Sequence, residues 1–142
     1  MASQLSLSLR LAVEAVIVHD GKVLLAKRAP QCKVAPNVWN VPAGKVKLLE
    51  TSQDAVVRES LEETGLAVRV HRLICESAFS MKSGDETVYR NMFTYHVVPE
   101  ESVEVTLNDE HTEYAWVSKL ELANVKYDSM NERLRKLIAE VL

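Results

Sequence analysis

Hydrophobic and polar positions alternate at the start of the chain. Leu5, Leu7, Leu9, Leu11, Val13, Ala15 and Ile17 share one parity, while Ser6, Ser8, Arg10 and Glu14 share the other. A period of two predicts a β-strand, bent or bulged near Arg10–Glu14 and ending at His19. Asp20-Gly21 is a hairpin turn, so Lys22–Lys27 returns as a second strand. Ala29–Asn37, with two prolines, reads as an exposed loop. Further on, Thr51 or Ser52 offers an N-cap hydroxyl, Asp54 puts charge in the first turn and Gly65 is a C-cap. These signals predict a helix over Ser52–Thr64 with Val57 and Leu61 on its buried side. Ala67–Phe79 is expected as a strand, with Val68, Val70 and Ile74 on one side. Val88–Val98 is another, with Tyr89, Phe93, Tyr95 and Val97 on one face, and Pro99 stops it. An edge strand is expected around Val103 and Val105, a strand at Trp116-Val117, and a helical turn over Ser118–Leu122. Asp128 or Ser129 is the expected cap of a last helix, with Glu132 completing a capping box after Ser129. Its buried stripe would be Met130, Leu134, Leu137, Ile138 and Val141.

Strands around a central and a terminal helix imply an α/β fold, an α/β/α sandwich with a mixed sheet. At 142 residues the chain is expected to form a single domain, 1–142. The net charge of −3 comes with no basic run, which argues against a nucleic-acid polymer as partner. Cys32 and Cys75 lack metal-ligand spacing and read as thiols of a reducing compartment. The apolar beginning lacks a basic region ahead of it, and Arg10 and Glu14 interrupt it, so no signal peptide is expected. No stretch has transmembrane length. A cytoplasmic protein with no membrane partner is expected.

The chemistry concentrates in Gly44–Leu66. On a helix, Glu59, Glu62 and Glu63 fall in a wedge about 100° wide. Three carboxylates so placed repel one another by a few tenths of a kcal/mol per pair. A hard divalent cation reverses that sign, because Mg²⁺ and Mn²⁺ take clustered oxygen ligands. A lone E-x-x-E-E on a helix is more often a solvated acidic face, so the flanking residues decide.

Those residues are Gly44, Glu50, Arg58 and Gly65, and with the three glutamates they give G-x5-E-x7-R-E-x-x-E-E-x-G. This spacing resembles the box of the Nudix hydrolases, which cleave diphosphate linkages with divalent metal. Trp39–Gly44 resembles the lead-in to that box, with Ala43 in place of a glycine, and Glu110 resembles a glutamate placed shortly before a W-V strand. Glu113 is the second choice for that role. The resemblance covers nearly the whole chain and implies the Nudix fold. It implies that Glu59, Glu62, Glu63, Glu110 and the Ala43 carbonyl hold one to three Mg²⁺ or Mn²⁺ ions. It further implies that Arg58 orients the carboxylates, that Glu50, Gly44 and Gly65 shape the motif, and that Glu59 or Glu110 accepts a proton from water. Arg28 and Lys45 are implied substrate contacts, and Asn131 a nucleobase contact. The alternatives are a solvated strand end for Arg28 and an ordinary helix-start position for Asn131. Trp39 is expected in the core rather than as a base-stacking platform.

Two positions depart from the family pattern. Leu48-Leu49 precedes Glu50 where relatives place a glycine, so the loop is expected to avoid a left-handed backbone or to bury one leucine. Ser60 stands where an apolar residue is usual. Neither removes a charge, so the implied function is a metal-dependent hydrolase of a nucleotide-type substrate, close to nucleoside-triphosphate pyrophosphohydrolases. The competing readings are a nucleotide-sugar or dinucleotide pyrophosphatase, a non-catalytic nucleotide sensor, and an isomerase of isoprenoid diphosphates. A homodimer is left open.

Overall fold

The computed structural model describes residues 8–142, apart from the Ser83 side chain. Leu5 and Leu7 lie outside the described residues. The first alternating stretch is β1 (Ser8–His19), at the centre of a seven-stranded mixed sheet. It runs parallel to β6 (Glu86–Pro99) without a register break, from Ser8 opposite Val88 to Ile17 opposite Val97. The bulge expected near Glu14 does not form. Glu14 is buried, and its Oε1 accepts hydrogen bonds from Thr94 Oγ1 at 2.6 Å and Arg133 Nη2 at 2.7 Å. A satisfied buried carboxylate leaves the ladder no reason to break.

The other edge of β1 is shared between two strands. Near its start it pairs with β4 (Ala43–Lys45), and at its end with β2 (Lys22–Arg28) through the turn at Asp20-Gly21. Both turn residues have positive φ, 50° and 72°, as an Asp-Gly hairpin requires. β2 carries β3 (Trp39–Asn40) and β7 (His111–Ser118). The sheet therefore forks where β1 changes partner.

Alternation sorts the core into two layers. Val13, Ala15, Ile17 and Leu24 meet Ala55 and Val56 of α1 (Ser52–Thr64) on one face. Val16, Val23, Leu25 and Val117 meet Leu134 and Ile138 of α2 (Glu132–Val141) on the other. This is the α/β/α sandwich expected. Trp39 is 4% exposed and meets Tyr127 edge-on at 5.1 Å, so it belongs to the core. β5 (Val68–Ser83) pairs with β6 through two register shifts, Val70/Arg72 and Leu73/Cys75. These bulges put Ile74 beside the α2-side core, away from Val68 and Val70.

Several local expectations are corrected. Val57 is half-buried and Leu61 exposed, while Ala55, Val56, Ser60, Glu63 and Thr64 are the buried residues of α1. The helix is rolled so that Glu63 faces inward, and Leu61, two residues or about 200° away, turns outward. Buried Ser60 is satisfied by donating to the Val56 carbonyl at 2.7 Å. No strand forms around Val103 and Val105. The backbone of that segment instead donates from Thr106 and Asn108 to the last carbonyls of α1, at Thr64 and Glu63. The cap of α2 is Asn131, whose Oδ1 accepts from Leu134 N, while Ser129 Oγ accepts from Trp39 N.

The leucine pair also differs from expectation. Leu49 adopts φ 64°, and Leu48 and Leu49 are 93% and 98% exposed. The loop accepts left-handed strain of roughly 1–2 kcal/mol with no burial to offset it. Leu49→Gly should therefore stabilise the protein by about 0.5–1 kcal/mol after the extra chain entropy of glycine is subtracted. Thermal unfolding would show a rise of about 2–4 °C; a fall would mean that Leu49 contributes contacts.

Candidate metal and active site

α1 holds the box residues in place. Thr51 Oγ1 accepts from Asp54 N at 3.1 Å to start the helix, and Gly65 at φ 74° ends it with its N–H bonded to Leu61 O. Only a residue tolerant of αL fits that end cheaply. Arg58 then works as a clamp. Its Nε and Nη2 donate to the two oxygens of Glu50 at 2.8 and 2.9 Å, and Nη2 also reaches Lys45 O at 2.9 Å. Nη1 donates to Glu59 Oε1 at 2.8 Å and Glu62 Oε2 at 3.2 Å. One guanidinium thus ties the loop before the helix to two helix carboxylates. The hydrogen bonds to Arg58 hold the Glu50 carboxyl down at about 2, and the same pairing raises Arg58.

The three helix glutamates are graded in exposure. Glu62 is half-exposed, with a side-chain exposure of 51%, and Glu59 is at 14%. Glu63 is 1% exposed. Its Oε1 accepts a 3.4 Å hydrogen bond from Ala43 N, and its Oε2 is buried without a partner. Burial first, then the neighbouring carboxylates of Glu59 and Glu110, push its carboxyl far above the usual range. A carboxylate this poorly compensated fits a site built for a cation.

Gly44 and Ala43 occupy β4, directly under these groups. A Cβ on Gly44 would fall onto the carboxylate of Glu59, so the position requires the absence of a side chain. Ala43 is not among the positive-φ residues, so alanine takes this turn without strain and its carbonyl survives the exchange. Opposite lies the turn before β7. Asn108 Oδ1 accepts from Glu110 N at 3.2 Å, and Ala29 N donates to Glu110 O at 2.8 Å. A register shift at Lys27/Arg28 follows, and beyond it His111 points inward with its side chain 2% exposed. Donor atoms of Glu63, Glu110 and His111 all lie within 4.8 Å of one another. Glu113, by contrast, is 3.5 Å from Lys27 Nζ at the edge of the sheet.

A cleft of about 630 Å³ opens at the fork of the sheet, within the size range of small-molecule sites. Glu59, Glu110, Ala43 and Gly44 lie on its acidic side, and Arg28, Lys45, Lys47 and Arg90 supply cations around it. Arg28 is oriented by donating from Nε to Val34 O at 2.8 Å. The structure therefore brings Glu59, Glu110, Ala43, Gly44, Arg28 and Lys45 to one cleft, with Glu63 buried beside it. Asn131 does not line this cleft, and its amide serves as the cap of α2. Sequence reasoning missed Lys47, Arg90, Met92 and Asn40 as lining residues, and it missed His111. Arg90 and Met92 were legible in principle, since they occupy the β6 parity opposite Tyr89 and Phe93. Among the described residues no helix is long and apolar enough to cross a membrane.

A family model described as the NUDIX domain matches residues 8–141. Nucleoside triphosphatase NudI of Escherichia fergusonii is 30% identical over 131 residues, 87% of this chain and 90% of that protein. An octanoyltransferase of Myxococcus xanthus is 29% identical over 123 residues, 84% of this chain but 33% of that protein. The chain thus spans about a third of the length of that relative. The crystal structure of a MutT protein from Methanosarcina mazei Go1 superposes with a TM-score of 0.76 at 23% identity, covering 96% of this chain and 95% of that one. At that identity the likeness concerns the fold.

Proposed function

Because the chain belongs to the Nudix family, we propose that it is a metal-dependent hydrolase cleaving a phosphoanhydride bond of a nucleoside triphosphate. The observation that carries this reading is the buried, uncompensated Glu63 beside Glu59 and Glu110, two carboxylates that line a cleft rimmed by cations. The octanoyltransferase name is not carried over, because the match covers a third of that protein.

Glu59, Glu62, Glu63, Glu110 and the Ala43 carbonyl would hold Mg²⁺ or Mn²⁺. When bound, such ions polarise the phosphoryl oxygens, lower the pKa of water and stabilise the leaving phosphate. Arg28, Lys45 and Lys47, which line the cleft, would meet the polyphosphate chain. Arg58 keeps Glu59 and Glu62 aimed through fixed hydrogen bonds, so reorganisation during the reaction is small. The attacking water adds to phosphorus and the bridging P–O bond breaks. The water's proton goes to Glu59 or Glu110, the two carboxylates lining the cleft.

The test is a screen of nucleoside di- and triphosphates, dinucleotides and nucleotide sugars with Mg²⁺ or Mn²⁺, reading released phosphate or pyrophosphate. Turnover of triphosphates, lost in EDTA and restored by metal, is expected. Full turnover in chelator would remove the metal reading. Binding without turnover of any compound would favour the non-catalytic sensor.

A further inference from the structure

The turn that presents Glu110 also builds a nitrogen donor into the same cluster. His111 lies across from Glu63, with Nε2 3.7 Å from Glu63 Oε1. That separation is too long for a hydrogen bond. It is shorter than the ~4 Å spanned by two opposed metal–ligand bonds. The ring is fixed from its other side, because Nδ1 lies 3.4 Å from Asn108 Oδ1. The identity of that oxygen follows from the backbone, since Glu110 N also donates to it at 3.2 Å. Asn108 Oδ1 can only accept, so the proton of His111 sits on Nδ1 and the lone pair of Nε2 faces the carboxylates. A metal-ligating histidine has this pattern, its remote N–H held by a neutral acceptor. The unpartnered Oε2 of buried Glu63 is a second, independent sign that the cluster lacks a ligand.

We infer that His111 Nε2 is a ligand of the divalent ion held by Glu63 and Glu110, giving this site a nitrogen donor that favours Mn²⁺ over Mg²⁺. The inference rests on the metal-hydrolase reading. Mn²⁺ stands lowest among the first-row transition ions in affinity for imidazole, yet it accepts a nitrogen ligand more readily than Mg²⁺, which keeps to oxygen. An all-carboxylate site has no such bias beyond the ordinary order of affinities.

The experiment is pulsed EPR on the full chain loaded with Mn²⁺ at one equivalent, with natural-abundance and ¹⁵N-histidine protein. The expected result is a nitrogen coupling that changes with the label and disappears in His111→Gln. The Mn²⁺-over-Mg²⁺ affinity ratio should fall about tenfold in that variant, the size of effect seen when a ligand environment is altered. Bound Mn²⁺ without a histidine coupling overturns the inference and leaves the hydrolase reading intact. A coupling that survives in His111→Gln also overturns it, because the nitrogen would then come from His19, His71 or His96. Failure to bind Mn²⁺ at all would overturn both. Where His111→Gln does not fold, His111→Asn takes its place: loss of the coupling in that variant is the expected result, and its persistence overturns the inference.

Discussion

Glu63→Gln is expected to lower kcat by about 100-fold or more while making the metal-free protein more stable. The first half follows from the loss of a charge at the most enclosed point of the cluster, where one electrostatic contact is commonly worth that factor. The second half follows from the cost of keeping Glu63 where it is. Its carboxyl is raised by burial first, then by Glu59 and Glu110, so in the metal-free fold it holds a proton that the unfolded chain has released. A group raised on folding contributes stability that is full below its unfolded pKa and is lost as pH climbs toward the folded value. Wild-type stability should therefore decline above pH 4.5, the ordinary glutamate value, for this group alone. Glutamine is close in shape to the protonated acid. It can accept from Ala43 N and donate toward Glu59, and it does not titrate. In EDTA the variant should melt with the wild type near pH 5 and a few degrees above it near pH 8. Added Mg²⁺ should raise the melting temperature of the wild type, as any ligand of the folded state does, and raise that of the variant much less. Equal melting curves at both pH values, with kcat unchanged, would return Glu63 to an ordinary buried polar position.

The two halves of this prediction are one statement about trade-off. On the metal-hydrolase reading, the fold tolerates an orphaned Oε2 because a cation would complete the site. Sites that bind charge are where local rules of polar satisfaction fail.

Much of the scaffold is legible from local signals that agree with one another. The bounds of α1 follow from Thr51, Asp54 and Gly65 alone, because caps act within one turn. Along β1 the layer of a core residue follows from parity, as with Val16 and Ile17. What stays hidden depends on partners distant in sequence. The roll of α1, which exposes Leu61 and buries Ser60, goes with Ala55 and Val56 packing on Val13, Ala15, Ile17 and Leu24, strand residues distant in sequence. The parity of Ile74 is broken by bulges that only pairing with β6 reveals. The left-handed region is costly for leucine, yet Leu49 sits there at φ 64°. Its neighbour Glu50 is held by Lys47 N at 3.0 Å and by Arg58, and these bonds fix the turn. His111 is hidden for a similar reason. Adjacency to Glu110 is visible in the sequence, but its inward direction depends on the register shift opposite Lys27/Arg28.

Gly44→Ala should lower kcat by roughly 10–100-fold with little loss of stability. The residue has no positive φ, so alanine meets no torsional objection. Its requirement is space, because the added methyl would occupy the position of the Glu59 carboxylate. The obstructed group is the end of a flexible side chain, which can swing away without moving the backbone. Swinging away breaks the 2.8 Å bond to Arg58 Nη1 and withdraws Glu59 from the cleft. A displacement of about 1 Å in a group that orients the reacting atoms can cost 100-fold. The expected stability change stays within about 1 kcal/mol, the scale of a partly exposed ion pair. A double-mutant cycle separates this account from general damage. If the methyl acts through Glu59, Gly44→Ala on a Glu59→Ala background should change kcat less than threefold, because the obstructed group is already gone. Additive losses would show that Gly44 serves the site by another route, through β4 and the Ala43 carbonyl beside it.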